Sequence, residues 1–240
     1  MTRAVTFDFW NTLMWEEPGA LRAARLRYWA SALPDVDARA LAGAHDEAHA
    51  QYFAAWTAGR QFLVTDAVAL MSDRLGDALP AGGADVLVEG FDAGGRTGAI
   101  HACDGVDACL ATLRGAGVRL GIICDIGLTP SPVVRELLER HDLLRHFDDT
   151  AFSDEVGHYK PSHEIFAHAL ARLGDPDPRD AAHVGDRQRT DIGGAQAMGM
   201  TAIRYNAIYD EDDADAPQAD FVTADLTEVP ALLGVGEVSR

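Results

Sequence analysis

The chain has 240 residues, 48% of them hydrophobic, enough for one α/β domain or for a core domain carrying a smaller insertion. Its formal charge of −18, from 38 acidic and 20 basic residues, argues against nucleic acid and anionic membranes as partners, because both would repel such a surface. No stretch is long and apolar enough to span a bilayer, no signal-like region opens the chain, and the three cysteines (Cys103, Cys109, Cys124) form neither an even disulfide set nor a CxxC pair. A reducing, cytoplasmic setting is expected.

Ala4-Val5-Thr6-Phe7-Asp8-Phe9 reads as a short buried strand ending in a carboxylate and the turn-prone Asn11. The period then becomes helical: Leu26, Trp29 and Leu33 share a face, with Pro34 as a stop. Asp37 fits the N-cap of a long helix through Trp56, and Thr65 that of a helix carrying Val68, Met71 and Leu75. Residues 15–97 therefore read as all-helical, with breaks such as Pro80-Ala81-Gly82-Gly83.

From Gly105 onward helix and strand alternate. Val106, Cys109, Leu110 and Leu113 mark a helix closed by Gly115 and Gly117, followed by the buried strand Leu120–Cys124. Ser131-Pro132 opens a helix to about Arg140. Ala151-Phe152-Ser153 is a short strand, and Ile165, Ala169 and Leu173 face one side of a helix ended by Gly174. Ala182–Val184 and Thr201–Tyr205 are strands around a helix near Ile192–Met198; Phe221-Val222 and a helix near Val229 follow. The acidic run Asp210–Asp215 reads as a solvated loop. Such alternation implies a doubly wound parallel sheet.

Ligands of such sheets bind beyond the carboxyl ends of the strands. Asp8, Asp125 and Asp186 each follow a strand, and Asp191 comes five residues after Asp186. Converging carboxylates repel one another unless a cation neutralises them, and all-oxygen ligands suit magnesium. Lys160 is the single lysine among the basic residues, a compact ammonium where every other position carries arginine.

These segments resemble the haloacid dehalogenase superfamily along nearly the whole chain. Asp8-Phe9-Trp10-Asn11-Thr12-Leu13 is similar to its first motif, Ile122-Ile123-Cys124-Asp125 to the second, Lys160-Pro161 to the third, and Val184-Gly185-Asp186 through Asp191 to the fourth. The resemblance implies a Rossmann-like core, residues 1–14 and 98–240, with an inserted all-helical cap, residues 15–97, as a mobile lid. It also implies roles. Asp8 would be the nucleophile, and magnesium would be held by Asp8, the backbone carbonyl of Trp10, Asp186 and Asp191. Lys160 would neutralise the transferring phosphoryl group, while Cys124, Asp125 and Asn11 would line the substrate site. The partner would be a small phosphorylated molecule; no oligomeric state is implied.

Two positions depart from the pattern. Phosphatases of this family carry an aspartate, as general acid and base, where this chain has Trp10, and Ser or Thr where it has Cys124, a weaker hydrogen-bond donor. Three readings follow. The first is a magnesium-dependent phosphatase working on a good leaving group, or taking a proton from Glu16, Glu17 or His158. The second is a 2-haloacid-type dehalogenase, since those relatives carry an aromatic residue at this position and halide leaves unprotonated. They work without metal, however, and lack the Gly-Asp of the fourth motif. The third is a catalytically inactive binding protein. Arg187 and Arg189 read as surface partners of nearby acids, with an anionic substrate as the other option.

Overall fold

The computed structural model describes residues 2–210 and 213–236. Glu211 and Asp212 of the expected acidic loop lie outside them. By its contacts the chain divides into two compact units: Met1–Trp15 with His101–Asp125 and His141–Arg240, and Glu16–Ile100 with Ile126–Arg140. The described strands are β1 (Ala4–Phe7), β2 (Met14–Glu16), β3 (Ile100–Ala102), β4 (Arg119–Cys124), β5 (Asp149–Phe152), β6 (Ala181–Gly185), β7 (Thr201–Tyr205) and β8 (Phe221–Thr223). The helices are α1 (Ala20–Ala32), α2 (Ala38–Thr57), α3 (Val64–Leu75), α4 (Gly83–Thr97), α5 (Val106–Gly115), α6 (Ser131–Arg140), α7 (Ser153–Val156), α8 (His163–Arg172), α9 (Gly193–Met198) and α10 (Val229–Leu232).

The first unit holds a parallel sheet in the order β5-β4-β1-β6-β7-β8, flanked by helices. Its central strands β1 and β6 are buried at every position, as a parallel strand covered on both faces must be. Ile165, Phe166, Ala169 and Leu170 of α8 and Ala195 of α9 pack with Ile123, Ala151 and Ala202 of the sheet. The third expected strand starts earlier, at Asp149, and Ser153 instead begins the single turn α7. A π-turn, Gln188–Ile192, leads into α9.

The second unit contains α1–α4 and α6. Residues 15–97 are not helical throughout, because the stretch opens in β2, which pairs with β3 as a two-stranded ribbon. Asp37 caps α2, its carboxylate accepting from the N–H groups of Arg39 and Ala40 at 3.0 and 2.9 Å. Thr65 is not a cap. The helix starts at Val64, and the Asp66 carboxylate accepts the Leu63 N–H at 2.7 Å. The sequence pattern places α6 with the core, whereas its contacts group it with the helices: Val133 fills the space above Gly95, and the Arg96 guanidinium is bidentate on Glu136 at 2.7 and 2.9 Å. Among the described residues no helix is long and apolar enough to cross a membrane.

Trp29 is the largest buried side chain in this unit, and its indole N–H donates to the Val86 and Leu87 carbonyls at 3.2 Å each. A Cβ at Gly90 would lie 1.8 Å from the indole nitrogen. Gly90→Ala therefore pits a helix-propensity gain of about 1 kcal/mol against an overpacking cost of about 1–3 kcal/mol or more. The clash should win and lower the thermal unfolding midpoint. Gly43→Ala, on α2 with nothing within 4 Å of its Cβ, should raise it.

Candidate active site

The register brings the site together. Phe7 pairs with Ile122 on one side and Val184 on the other, so the ends of β1, β4 and β6 lie abreast. The Asp8 N–H donates to the Val184 carbonyl at 2.8 Å, which fixes the nucleophile candidate one residue past its strand. After β6 the chain turns through Asp186, and the π-turn carries the Asp191 side chain back to Gly185. A Cβ there would lie 2.4 Å from the Asp191 carboxylate carbon, so only glycine admits this carboxylate. Oxygen atoms of Asp8, Asp186 and Asp191 all lie within 4.8 Å of one another, and all three residues are buried.

Lys160 is the cation among them. Its ammonium donates to Asp8 Oδ1, to Asp191 Oδ1 at 2.7 Å and to the Ile123 carbonyl at 3.0 Å. Three donors on one small head match three acceptors, a task that a planar guanidinium would fit poorly. The Asp125 carboxylate accepts the backbone N–H of Lys160 at 3.0 Å, so it anchors the segment that delivers the ammonium. Asn11, at φ 61, donates from its side chain to Asp186 Oδ2 at 3.3 Å. Trp10 is half-buried, its ring edge-on against Phe9 at 4.8 Å. Cys124 is fully buried, and burial, reinforced by Asp8, pushes its thiol well above the ordinary range; it is a neutral thiol.

The charges are unequal to their setting. Burial raises Asp8 to about 7, Lys160 opposing and Asp191 adding to the shift. Burial, then Asp8 and Asp191, push Asp186 up as well. Asp191 is held low: burial acts against its charge, but Lys160 and His183 outweigh it. Burial likewise works against the Lys160 ammonium, yet Asp191 and Asp8 hold it well above the usual range. One ammonium thus offsets one of three negative charges, and the carboxyls of Asp8 and Asp186 stay raised. That excess, in an all-oxygen set, fits a hard divalent cation.

The pH consequence has a definite sign. Asp8 binds its proton more tightly folded than unfolded, so its contribution is fully present below about pH 4 and is lost as pH rises through about 7. In chelator, wild-type protein should lose thermal stability relative to Asp8→Asn across that window, and added magnesium should restore more at the alkaline end. Equal midpoints for the two proteins at every pH would contradict the raised value.

Several candidates lie elsewhere. His158 is exposed, its Nδ1 4.0 Å from the Glu164 carboxylate. Glu16 accepts the Leu21 N–H at 3.1 Å, a helix-capping use. Arg187 lies over the Tyr209 ring at 4.5 Å. Two residues escaped the sequence reading. Thr6 and His183 are register partners in β1 and β6, both fully buried, and Thr6 Oγ1 is 2.8 Å from His183 Nδ1. Their one signal was polarity inside otherwise apolar strands.

A family model described as haloacid dehalogenase-like hydrolase matches residues 2–199. The chain is 39% identical over 106 residues to a glyceraldehyde 3-phosphate phosphatase of Methanothermobacter thermautotrophicus, covering 44% of this chain and 45% of that protein. It spans about half the length of the curated relatives it matches. Among solved structures, a HAD phosphatase from Thermococcus onnurineus superposes with a TM-score of 0.66 at 25% identity, covering 99% of this chain and 100% of that one. A 2-haloacid dehalogenase from Pseudomonas syringae pv. Tomato gives 0.72 at 24% identity over 98% and 99% of the two chains, a likeness of fold alone.

Proposed function

Because the chain belongs to the haloacid dehalogenase-like hydrolase family, we propose that it is a magnesium-dependent phosphatase of a small phosphorylated metabolite, acting through an aspartyl-phosphate on Asp8. The observation that carries this reading is the buried cluster of Asp8, Asp186 and Asp191 around a single ammonium. A 2-haloacid chemistry has no use for an uncompensated carboxylate cluster, and the phosphatase-named relatives point the same way.

In this reading an Asp8 oxygen attacks phosphorus, the bond to the leaving oxygen breaks, and water then cleaves the acyl phosphate to regenerate the carboxylate. Lys160 holds Asp8 in place and offsets charge on the transferring group. Asp125 fixes the Lys160 backbone, and Cys124 offers a weak neutral donor at the end of β4. Asp8, Asp186 and Asp191, with the Trp10 carbonyl, are the groups that would hold magnesium, whose positive charge would stabilise the phosphoryl oxygens. The helical unit takes the part of the family's cap. No acid stands at position 10, so the substrates handled best are those whose leaving group departs with little protonation.

The dehalogenase reading retains one favourable feature, the aromatic Trp10. A hydrolysis screen separates the alternatives: phosphomonoesters, acyl phosphates and short 2-haloacids, each with magnesium and with chelator. Chelator-sensitive phosphate release is expected. Chelator-insensitive halide release would replace the phosphatase by a dehalogenase. A folded, magnesium-binding protein that turns over nothing would be a binding protein.

A further inference from the structure

Behind the carboxylate cluster runs a hydrogen-bonded chain that the mechanism above does not use. His183 sits in the middle of β6, fully buried between Ala182 and Val184. Its Nδ1 is 2.8 Å from Thr6 Oγ1, and its Nε2 is 3.2 Å from Asp191 Oδ1. Its ring lies edge-on to Phe166 at 5.2 Å, and Phe166 in turn packs where a Cβ on Gly194 would come within 2.4 Å of it. An imidazole in an apolar strand is costly to bury unless both nitrogens are partnered, and here both are.

The partners settle its tautomer. A carboxylate cannot donate, so Nε2 carries a proton toward Asp191. The Thr6 hydroxyl can then donate to Nδ1, and this contact is shorter than its alternative at 3.3 Å on the Ala182 carbonyl. Asp191 Oδ1 is thereby shared between His183 and the Lys160 ammonium, while Oδ2 accepts the Arg187 N–H at 2.9 Å. His183, Lys160 and that backbone N–H thus hold this carboxylate by hydrogen bonds on both of its oxygens. Through Lys160 the chain ends on Asp8, two residues after Thr6 and just past the end of β1.

We propose that His183, in the Nε2–H tautomer that Asp191 demands and the Thr6 hydroxyl supports, is a positioning residue that aims Asp191 so that the Lys160 ammonium bridges Asp191 and Asp8. The proposal rests on the phosphatase reading of the site. It assigns β6 a part in catalysis before its Gly-Asp end is reached. Without the imidazole N–H, Asp191 keeps one contact on each oxygen, Lys160 on Oδ1 and the Arg187 N–H on Oδ2, and Oδ1 is held less firmly where it draws the ammonium toward Asp8. Partners at this remove from the reacting atoms are typically worth about 10–100-fold in activity or metal affinity.

The test compares His183→Gln, which keeps an N–H near the Nε2 position, with His183→Phe, which fills the space without a donor, and with Thr6→Val, which leaves the ring but takes the hydroxyl from Nδ1. The expected result is a kcat about 10–100-fold lower in His183→Phe with KM little changed, largely restored in His183→Gln. Nitrogen NMR of the wild type should show a single Nε2–H tautomer, kept in Thr6→Val because Asp191 still accepts and cannot donate. An unchanged kcat in His183→Phe, a glutamine variant as impaired as the phenylalanine one at equal thermal stability, or an Nδ1–H tautomer in the wild type would each overturn the proposal. If His183→Phe does not fold, His183→Gln and Thr6→Val with the NMR measurement still decide. If the wild type hydrolyses no phosphomonoester, the phosphatase reading fails separately. The tautomer, and magnesium calorimetry expected to show about 10-fold weaker binding in His183→Phe, then judge the positioning role; equal magnesium binding would count against it.

Discussion

Asp8→Asn should abolish phosphate release, a loss of about 10⁴-fold or more, because removing a nucleophile costs far more than removing any group that assists it. Folding should survive. Asp8 is raised to about 7 by burial and sits beside Asp186 and Asp191, so a neutral amide of the same shape relieves repulsion in the metal-free protein. The thermal midpoint of the variant in chelator near pH 8 should be no lower than that of the wild type. Lys160 retains its acceptors at Asp191 and the Ile123 carbonyl, so the cation is not stranded. Phosphate release is the assay, and substantial turnover by the asparagine protein would end the covalent mechanism.

Trp10→Asp should do the reverse. A general acid is worth about 10²–10⁴ in rate, and that gain should appear for alkyl phosphates, whose leaving alkoxide needs a proton. For an aryl phosphate with a weakly basic leaving group the gain should be small. The wild-type rate should therefore fall steeply as leaving-group basicity rises, and the aspartate variant should flatten the slope. The Trp10 ring is half-buried and rests against Phe9, so its loss is a packing change at the edge of the site, not in the core. No gain with any alkyl phosphate would mean that another group already delivers the proton. His158 and Glu16 are poor choices, one exposed near Glu164 and the other engaged on the Leu21 N–H.

Residue order alone specifies a parallel sheet, the succession of the four charged segments and the single ammonium. Each is written in local pattern: runs of apolar β-branched residues make buried parallel strands, 3.6-residue spacing makes helices, and a carboxylate after an apolar run lands at a strand end. Other features arise only in the folded assembly. Nothing near Asp125 foretells that its carboxylate holds the Lys160 backbone, because the two lie 35 positions apart. The grouping of α6 with the helical unit depends on Gly95 leaving room for Val133, and the β2–β3 ribbon pairs segments separated by the whole of α1–α4. Thr6 and His183 meet only because β1 and β6 are neighbours in a register that sets them side by side. Local sequence specifies the backbone's period, but which polar group a buried atom finds is specified by strand order and register, and these are properties of the assembled sheet.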